Sequence, residues 1–125
     1  MLALRMGAVA LLPLCLSAPA AVQPAAAQTI YLWSYNYAPK PIHLRAGRPV
    51  TLTFVNRSGS GHDFTARRFF ASSRILAGAA PRGKVGVGPG RARSITLVPS
   101  RGTYPVHCSH FLHKQFGMQD LIVVD

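Results

Sequence analysis

Acidic side chains are almost absent from this chain. Its 125 residues carry three, Asp63, Asp120 and Asp125, against 14 Lys and Arg, for a formal net charge of +11. Long apolar runs are missing too. The one candidate, Met6 to Leu16, is too short to cross a bilayer comfortably and is interrupted by Pro13. Cysteine is limited to Cys15 and Cys108, and no internal repeat or linker domain is visible. With 49% hydrophobic residues the sequence is too apolar for a disordered basic tail, and its length admits one domain at most.

The first stretch has a separate meaning. Arg5, then the short apolar run, then Ala25, Ala26 and Ala27 ahead of Gln28 form the pattern of a secretory signal peptide over residues 1–27. Cleavage is expected after Ala27, giving an exported, periplasmic domain over residues 28–125 with no stable membrane insertion. The leader takes Arg5 and Cys15 with it, so the mature domain has 98 residues and a net charge of +10. A domain of that size buries only roughly 60–68% of the surface its unfolded chain exposes, and small exported domains often add disulfides or a metal. Cys108 is alone and cannot close a disulfide within the chain. A free thiol, a bridge to another chain and a metal ligand remain open.

Short strands organise the rest. Residues 29–37 alternate, with Tyr31, Trp33, Tyr35 and Tyr37 on one side and Ile30, Leu32, Ser34 and Asn36 on the other, which predicts one strand. Residues 42–45, 50–56, 84–87, 94–98, 103–108 and 121–124 predict further strands, separated by Gly and Pro signals. Arg57, Ser58, Gly59, Ser60 and Gly61 form a flexible loop leading to His62 and Asp63. Between them and the next strand, Phe69, Phe70, Ile75 and Leu76 in residues 65–80 suit one face of a short helix. The class is an all-β sandwich with a short helical insertion.

The chemistry-bearing residues gather near the end of the sequence. Cys108, four residues, His113, four residues and Met118 make a compact loop, and His62 follows the glycine-rich loop upstream. Two imidazoles, a thiolate and a thioether form the set that holds copper in blue electron-transfer sites. Cu(I) favours soft sulfur and few ligands, Cu(II) favours nitrogen and tetragonal geometry, and a trigonal arrangement with a distant thioether lies between them. Taken singly, each residue has a plainer explanation: a buried Cys is usually an inert small hydrophobe, and a Met ahead of a strand is usually core. Their joint spacing argues for the metal.

At these residues the chain resembles the cupredoxin family, in its plastocyanin and azurin branch. Gly102 through Cys108 looks like the family's strand into the cysteine, and Gly117 through Val124 looks like its methionine and closing strand. Tyr37, Ala38 and Pro39, Gly47, the strand to Asn56, and Gly61, His62, Asp63 and Phe64 fall in the family's order. The resemblance implies an eight-stranded Greek-key sandwich with one type 1 copper ion held by His62, Cys108, His113 and Met118. Two departures stand out. His110 sits inside the loop where many relatives have a proline or small residue; as a ligand in place of His113 it would leave seven residues before Met118, too long for the usual loop, so it is expected to orient the ligands or lie on the surface. Asp63 replaces the asparagine usual after the first histidine, and its carboxylate is placed to accept from the hydroxyl or amide of Ser109.

The resemblance also implies a monomeric carrier of single electrons, and no enzyme: His43 and His107 are spare histidines, but they do not make up a second copper site. Phe111, Leu112, Phe116 and Gly117 would form an apolar collar around His113, and the positive charge predicts an acidic redox partner such as a cytochrome or an oxidoreductase. Copper buffering or delivery is the rival reading. Nucleic-acid binding, suggested by the charge and the aromatic alternation, is disfavoured by export and by the expectation that such a stripe on a sandwich strand is core.

Overall fold

The computed structural model describes residues 13–19 and 24–125. Of the expected leader, residues 1–12 and 20–23 lie outside the described residues. Among those described, no helix is long and apolar enough to cross a membrane.

Among the described residues ten strands follow one another: β1 (Ala26–Trp33), β2 (Asn36–Ala38), β3 (Ile42–Leu44), β4 (Val50–Asn56), β5 (His62–Thr65), β6 (Arg74–Ala77), β7 (Lys84–Val87), β8 (Ala92–Val98), β9 (Gly102–His107) and β10 (Gln119–Val124). One helix, α1 (Arg67–Ser72), separates β5 from β6. The strands form two five-stranded sheets, ordered β2-β1-β4-β8-β6 and β3-β10-β9-β5-β7. These pack as the all-β sandwich that the short alternating segments predict. Period-two alternation is visible in the burial itself: Val50, Leu52 and Phe54 of β4 point inward, with Thr51, Thr53 and Val55 half-buried between them. β1 runs parallel to β4 and β10 parallel to β3, while the other pairs are antiparallel.

Three expectations need correction. Residues 29–37 are two strands, because the chain reverses at Ser34 and Tyr35, where Tyr35 adopts a left-handed φ of 70°. Ile30 and Leu32 supply the core, and the aromatic alternation is dismantled. Tyr37 is buried, Tyr31 is half-buried, and Trp33 and Tyr35 are exposed. Arg57 lies over the Tyr31 ring at 4.3 Å, leaving no continuous stacking platform.

The helical insertion is also shorter than its apolar spacing predicts. The hydroxyls of Ser72 and Ser73 donate to the Phe69 carbonyl at 3.1 and 2.7 Å, competing with the backbone and ending α1. Phe69 and Phe70 reach the core, whereas Ile75 and Leu76 lie exposed on β6. The hairpin at Ser34, this added strand and β5 raise the count from the seven predicted segments to ten, two more than the resemblance implies.

The glycine-rich loop is the third correction, because it is tied rather than flexible. The buried Asn56 side chain donates to the carbonyls of Ser60 (2.7 Å) and Val87 (3.0 Å), and accepts from the amide and hydroxyl of Ser58. All of its polar capacity goes into fixing where β5 begins.

Where the sheets meet beneath the metal-site end, Phe64 packs its ring against Phe54 (4.7 Å between centroids), Tyr37 (5.7 Å) and Phe70 (6.1 Å). Truncation to alanine opens a cavity that three elements cannot collapse into together. Phe64→Ala is expected to cost about 3–5 kcal/mol in urea unfolding of the metal-free domain; a loss below about 1 kcal/mol would show that this cluster is not the centre of the core.

Asp120, buried at the start of β10, gives a pH prediction. One carboxylate oxygen accepts from the Leu121 amide at 2.7 Å, and the other has no partner. Burial pushes its carboxyl above the usual carboxylate range, against the smaller opposing effects of that amide and of Lys40. A raised folded-state value means that the folded chain keeps this proton to higher pH than the unfolded one. Stability is therefore lost as pH rises through the folded value. In the metal-free domain, Asp120→Asn should be more stable than wild type at neutral pH, with the difference vanishing below the unfolded carboxyl's ~3.9. A gap that persists in acid would contradict this.

Candidate metal centre

β5 and β9 are antiparallel neighbours, joined by the pairing of Thr65 with His107, the last residue of each, so β5 runs back from that point alongside the residues that follow β9. That adjacency brings His62 next to Cys108. The loop from Cys108 to Met118 is closed at its base by the Cys108 amide, which donates to the Met118 carbonyl at 3.1 Å. Within it the His113 amide donates to the His110 carbonyl (3.1 Å) and the Met118 amide to the His113 carbonyl (2.9 Å). Leu112 and Gly117 take left-handed φ values of 61° and 101° to make the turns. The position of Gly117 costs little because glycine has no Cβ to clash there.

Three donor atoms converge. The Nδ1 atoms of His62 and His113 are 3.2 Å apart, and the Cys108 sulfur lies 4.0 Å from the first and 3.4 Å from the second. With zinc-like bond lengths of about 2.0 Å to nitrogen and about 2.3 Å to sulfur, trigonal donors around one ion stand about 3.5 Å (N···N) and about 3.7 Å (N···S) apart. The triangle has the size of a single metal ion. Met118, fully buried, follows at the end of the same loop. Two imidazoles, a thiol and a thioether at these positions fit one type 1 copper ion.

The surroundings prepare each donor. Burial lowers the His62 pKa, and His113 and His110 beside it act in the same direction, all favouring the neutral ring. Ser34 Oγ lies 3.4 Å from His62 Nε2. A proton on Nε2 facing that hydroxyl leaves Nδ1 with its lone pair toward the sulfur. Burial pushes the Cys108 thiol up, opposed by backbone amides of Asp63 and His110 that donate to the sulfur. Both His62 and Cys108 are 1% exposed.

Asp63 ties the two halves together. Its carboxylate accepts the Ser109 amide (2.9 Å), the Ser109 hydroxyl (2.6 Å) and the Thr65 hydroxyl (2.6 Å), and Lys84 Nζ stands 3.9 Å away. The Asp63 carbonyl in turn accepts the Tyr37 hydroxyl. His110 is exposed, with its ring stacked on His113 at 5.3 Å and its Nε2 3.6 Å from the Asp63 carboxylate.

Sequence reasoning missed Ser34, Tyr35, Tyr37, Thr65 and Lys84. Tyr35 meets His113 edge-on at 5.1 Å and Phe116 at 5.0 Å, a placement that depends on the hairpin at Ser34. Thr65 carries the one local signal, a hydroxyl two positions beyond an aspartate. Of the spare histidines, His43 is exposed on β3, while His107 turns away from the donor cluster. It lines a cavity of about 480 Å³ with Lys40, Pro105, Lys114 and Asp120.

No family model matches the sequence, and no curated protein does either. Solved structures do match. Auracyanin from the photosynthetic bacterium Roseiflexus castenholzii, reduced with sodium dithionite, superposes with a TM-score of 0.63 at 21% identity, over 82% of this chain and 99% of its own. Auracyanin B gives 0.60 at 20% identity, over 84% and 92%. A multicopper oxidase from Campylobacter jejuni gives 0.63 at 12% identity, covering 83% of this chain and 31% of the oxidase. At these identities the likeness carries the fold, and the chain has the cupredoxin fold.

Removing the Asp63 carboxylate orphans three donors. Asp63→Ala is expected to destabilise the metal-free domain by about 2–4 kcal/mol. Asp63→Asn keeps an acceptor for the Ser109 amide and should lose less than half of that. Chemical denaturation measures both, and an Asp63→Ala variant as stable as wild type would show that the tie contributes nothing.

Proposed function

We propose that this chain is an exported, periplasmic type 1 copper protein that transfers single electrons between redox partners, with His62, Cys108, His113 and Met118 as ligands. The observation that carries the reading is the buried convergence of two imidazole nitrogens and one sulfur, each 3.2–4.0 Å from the others. Bound copper would supply a one-electron couple between Cu(II) and Cu(I). The chain's own residues do the rest. Asn56 and Asp63 hold both ligand segments in one geometry, which keeps rearrangement small when charge changes. The Cys108 and His62 environments exclude water, which strengthens the electrostatics of the site.

His113 is the ligand nearest the surface. Phe111 (87% exposed), Leu112 and Phe116 (60% exposed) surround it, joined by Tyr35, and give a small apolar area suited to brief docking. The net charge of +10 on residues 28–125 steers an acidic partner, a cytochrome or an oxidoreductase, toward it. The signal-peptide pattern of residues 1–27 supports export with cleavage after Ala27. A monomeric carrier without catalytic activity of its own is the simplest form of this reading, since His43 and His107 stand apart from the donor cluster.

Copper delivery is the competing reading. Delivery sites exchange metal readily, whereas two ligands here are 1% exposed. The copper-loaded mature domain is expected to be intensely blue when oxidised and to keep its metal against a mild chelator. Cys108→Ser should abolish the colour. Rapid loss of copper to the chelator would favour delivery, and a colourless oxidised holoprotein would overturn the type 1 assignment.

A further inference from the structure

The Cys108 sulfur belongs to two donor triangles. Besides the inner one with His62 and His113, donor atoms of Asp63, Cys108 and His110 lie within 4.8 Å of one another. We propose that this outer triad is a loading position, where a copper ion first bonds before passing to the inner ligands. The inference rests on the reading of copper as the resident metal.

Access is the first argument. An ion arriving from solvent meets His110 first, because His62, Cys108 and Asp63 are all buried. The His110 side chain is 45% exposed and stands over the same sulfur from outside. Its ring lies parallel to that of His113, 15° between planes, so the two imidazoles of one loop offer nitrogen to neighbouring positions.

Charge is the second. On a strongly basic chain a cation is repelled almost everywhere. Asp63 is the acidic residue in the donor region; Asp120 and Asp125 belong to β10 and the residue after it. The 3.6 Å between His110 Nε2 and the Asp63 carboxylate is too long for a hydrogen bond and suits two ligands of one ion. Lys84, 3.9 Å from the same oxygen, weakens the attraction and keeps the outer position from becoming a trap.

Ligand chemistry gives the direction. Carboxylate is a poor partner for Cu(I), while imidazole and thiolate suit it. Loading starts when Cu(I) leaves its donor and bonds to the exposed His110 imidazole, then to Asp63 and to Cys108, whose thiol proton goes to water; no electron is transferred. With the sulfur bond kept, the Asp63 and His110 bonds break as those to His62 and His113 form. The ion thus moves inward by exchange around one retained ligand, toward the softer set.

Uptake by the metal-free domain from a coloured Cu(I)–chelator complex, followed by the chelator's absorbance, tests this without reference to redox activity. His110→Ala should slow uptake about tenfold or more while the final copper content stays at that of wild type. A rate within about twofold of wild type in this variant would overturn the proposal. In a His113→Ala background, copper held through the outer triad should fall on adding His110→Ala; equal copper content in the two would also overturn it. The two readings fail separately. Slowed uptake with a colourless oxidised protein sinks the type 1 assignment and keeps the triad, and a blue protein with unchanged uptake does the reverse.

Discussion

Three donors meet at the Asp63 carboxylate: the amide and hydroxyl of Ser109 and the hydroxyl of Thr65. Charge-assisted bonds of this kind are shorter and roughly twice as strong as neutral ones. Their position matters more than their strength. Asp63 follows His62, and Ser109 follows Cys108, so the same bonds that join two distant loops also fix the separation of an imidazole from a sulfur. Tyr37, donating to the Asp63 carbonyl from β2, adds a third element to the junction. The donor triangle is thereby set by backbone positions.

That preparation explains why the site end of the sandwich is polar inside. His62, Asp63, Thr65 and Asn56 are all buried, and each has partners. A buried polar group without a partner destabilises, so such a cluster persists only when its members satisfy one another. Asn56 does so for the loop before His62, Asp63 for the loop after Cys108. Below them Phe64, Phe54 and Tyr37 give the apolar floor. Rigidity of the ligand segments therefore has two sources, hydrogen bonds around the donors and interlocked rings beneath.

Most strands were legible because half-buried strands write a two-residue period into the sequence. β4 and β7 have the bounds read from the sequence, and β8, β9 and β10 differ from the reading at their ends only. The convergence of His62, Cys108 and His113 was legible as well, through loop spacing and the order of strands. What was not legible depends on turns and on distant partners. Nothing in the alternation of residues 29–37 marks Ser34 and Tyr35 as a reversal, since Tyr35 is an uncommon residue for a left-handed φ. Once the chain turns there, Tyr35 moves to the His113 collar and Tyr37 to the core, so one hidden hairpin changed the roles of two aromatic residues. Ile75 and Leu76 misled because helix spacing was counted past two serines whose hydroxyls stop the helix. The firmness of the glycine-rich loop lay in Asn56, whose partners Ser60 and Val87 are identified only once the sheets are assembled.

The pairing of β5 with β9 also sets a schedule. His62 and Cys108 are 46 positions apart, and the strand that carries the first cannot be flanked by the second until nearly the whole domain is available. Over residues 28–106, all made before Cys108, the side chains that could ligate are His43, His62 and Asp63, and none carries sulfur. Such a segment has little to offer a soft cation. The three-donor set is in this way incomplete until tertiary structure exists.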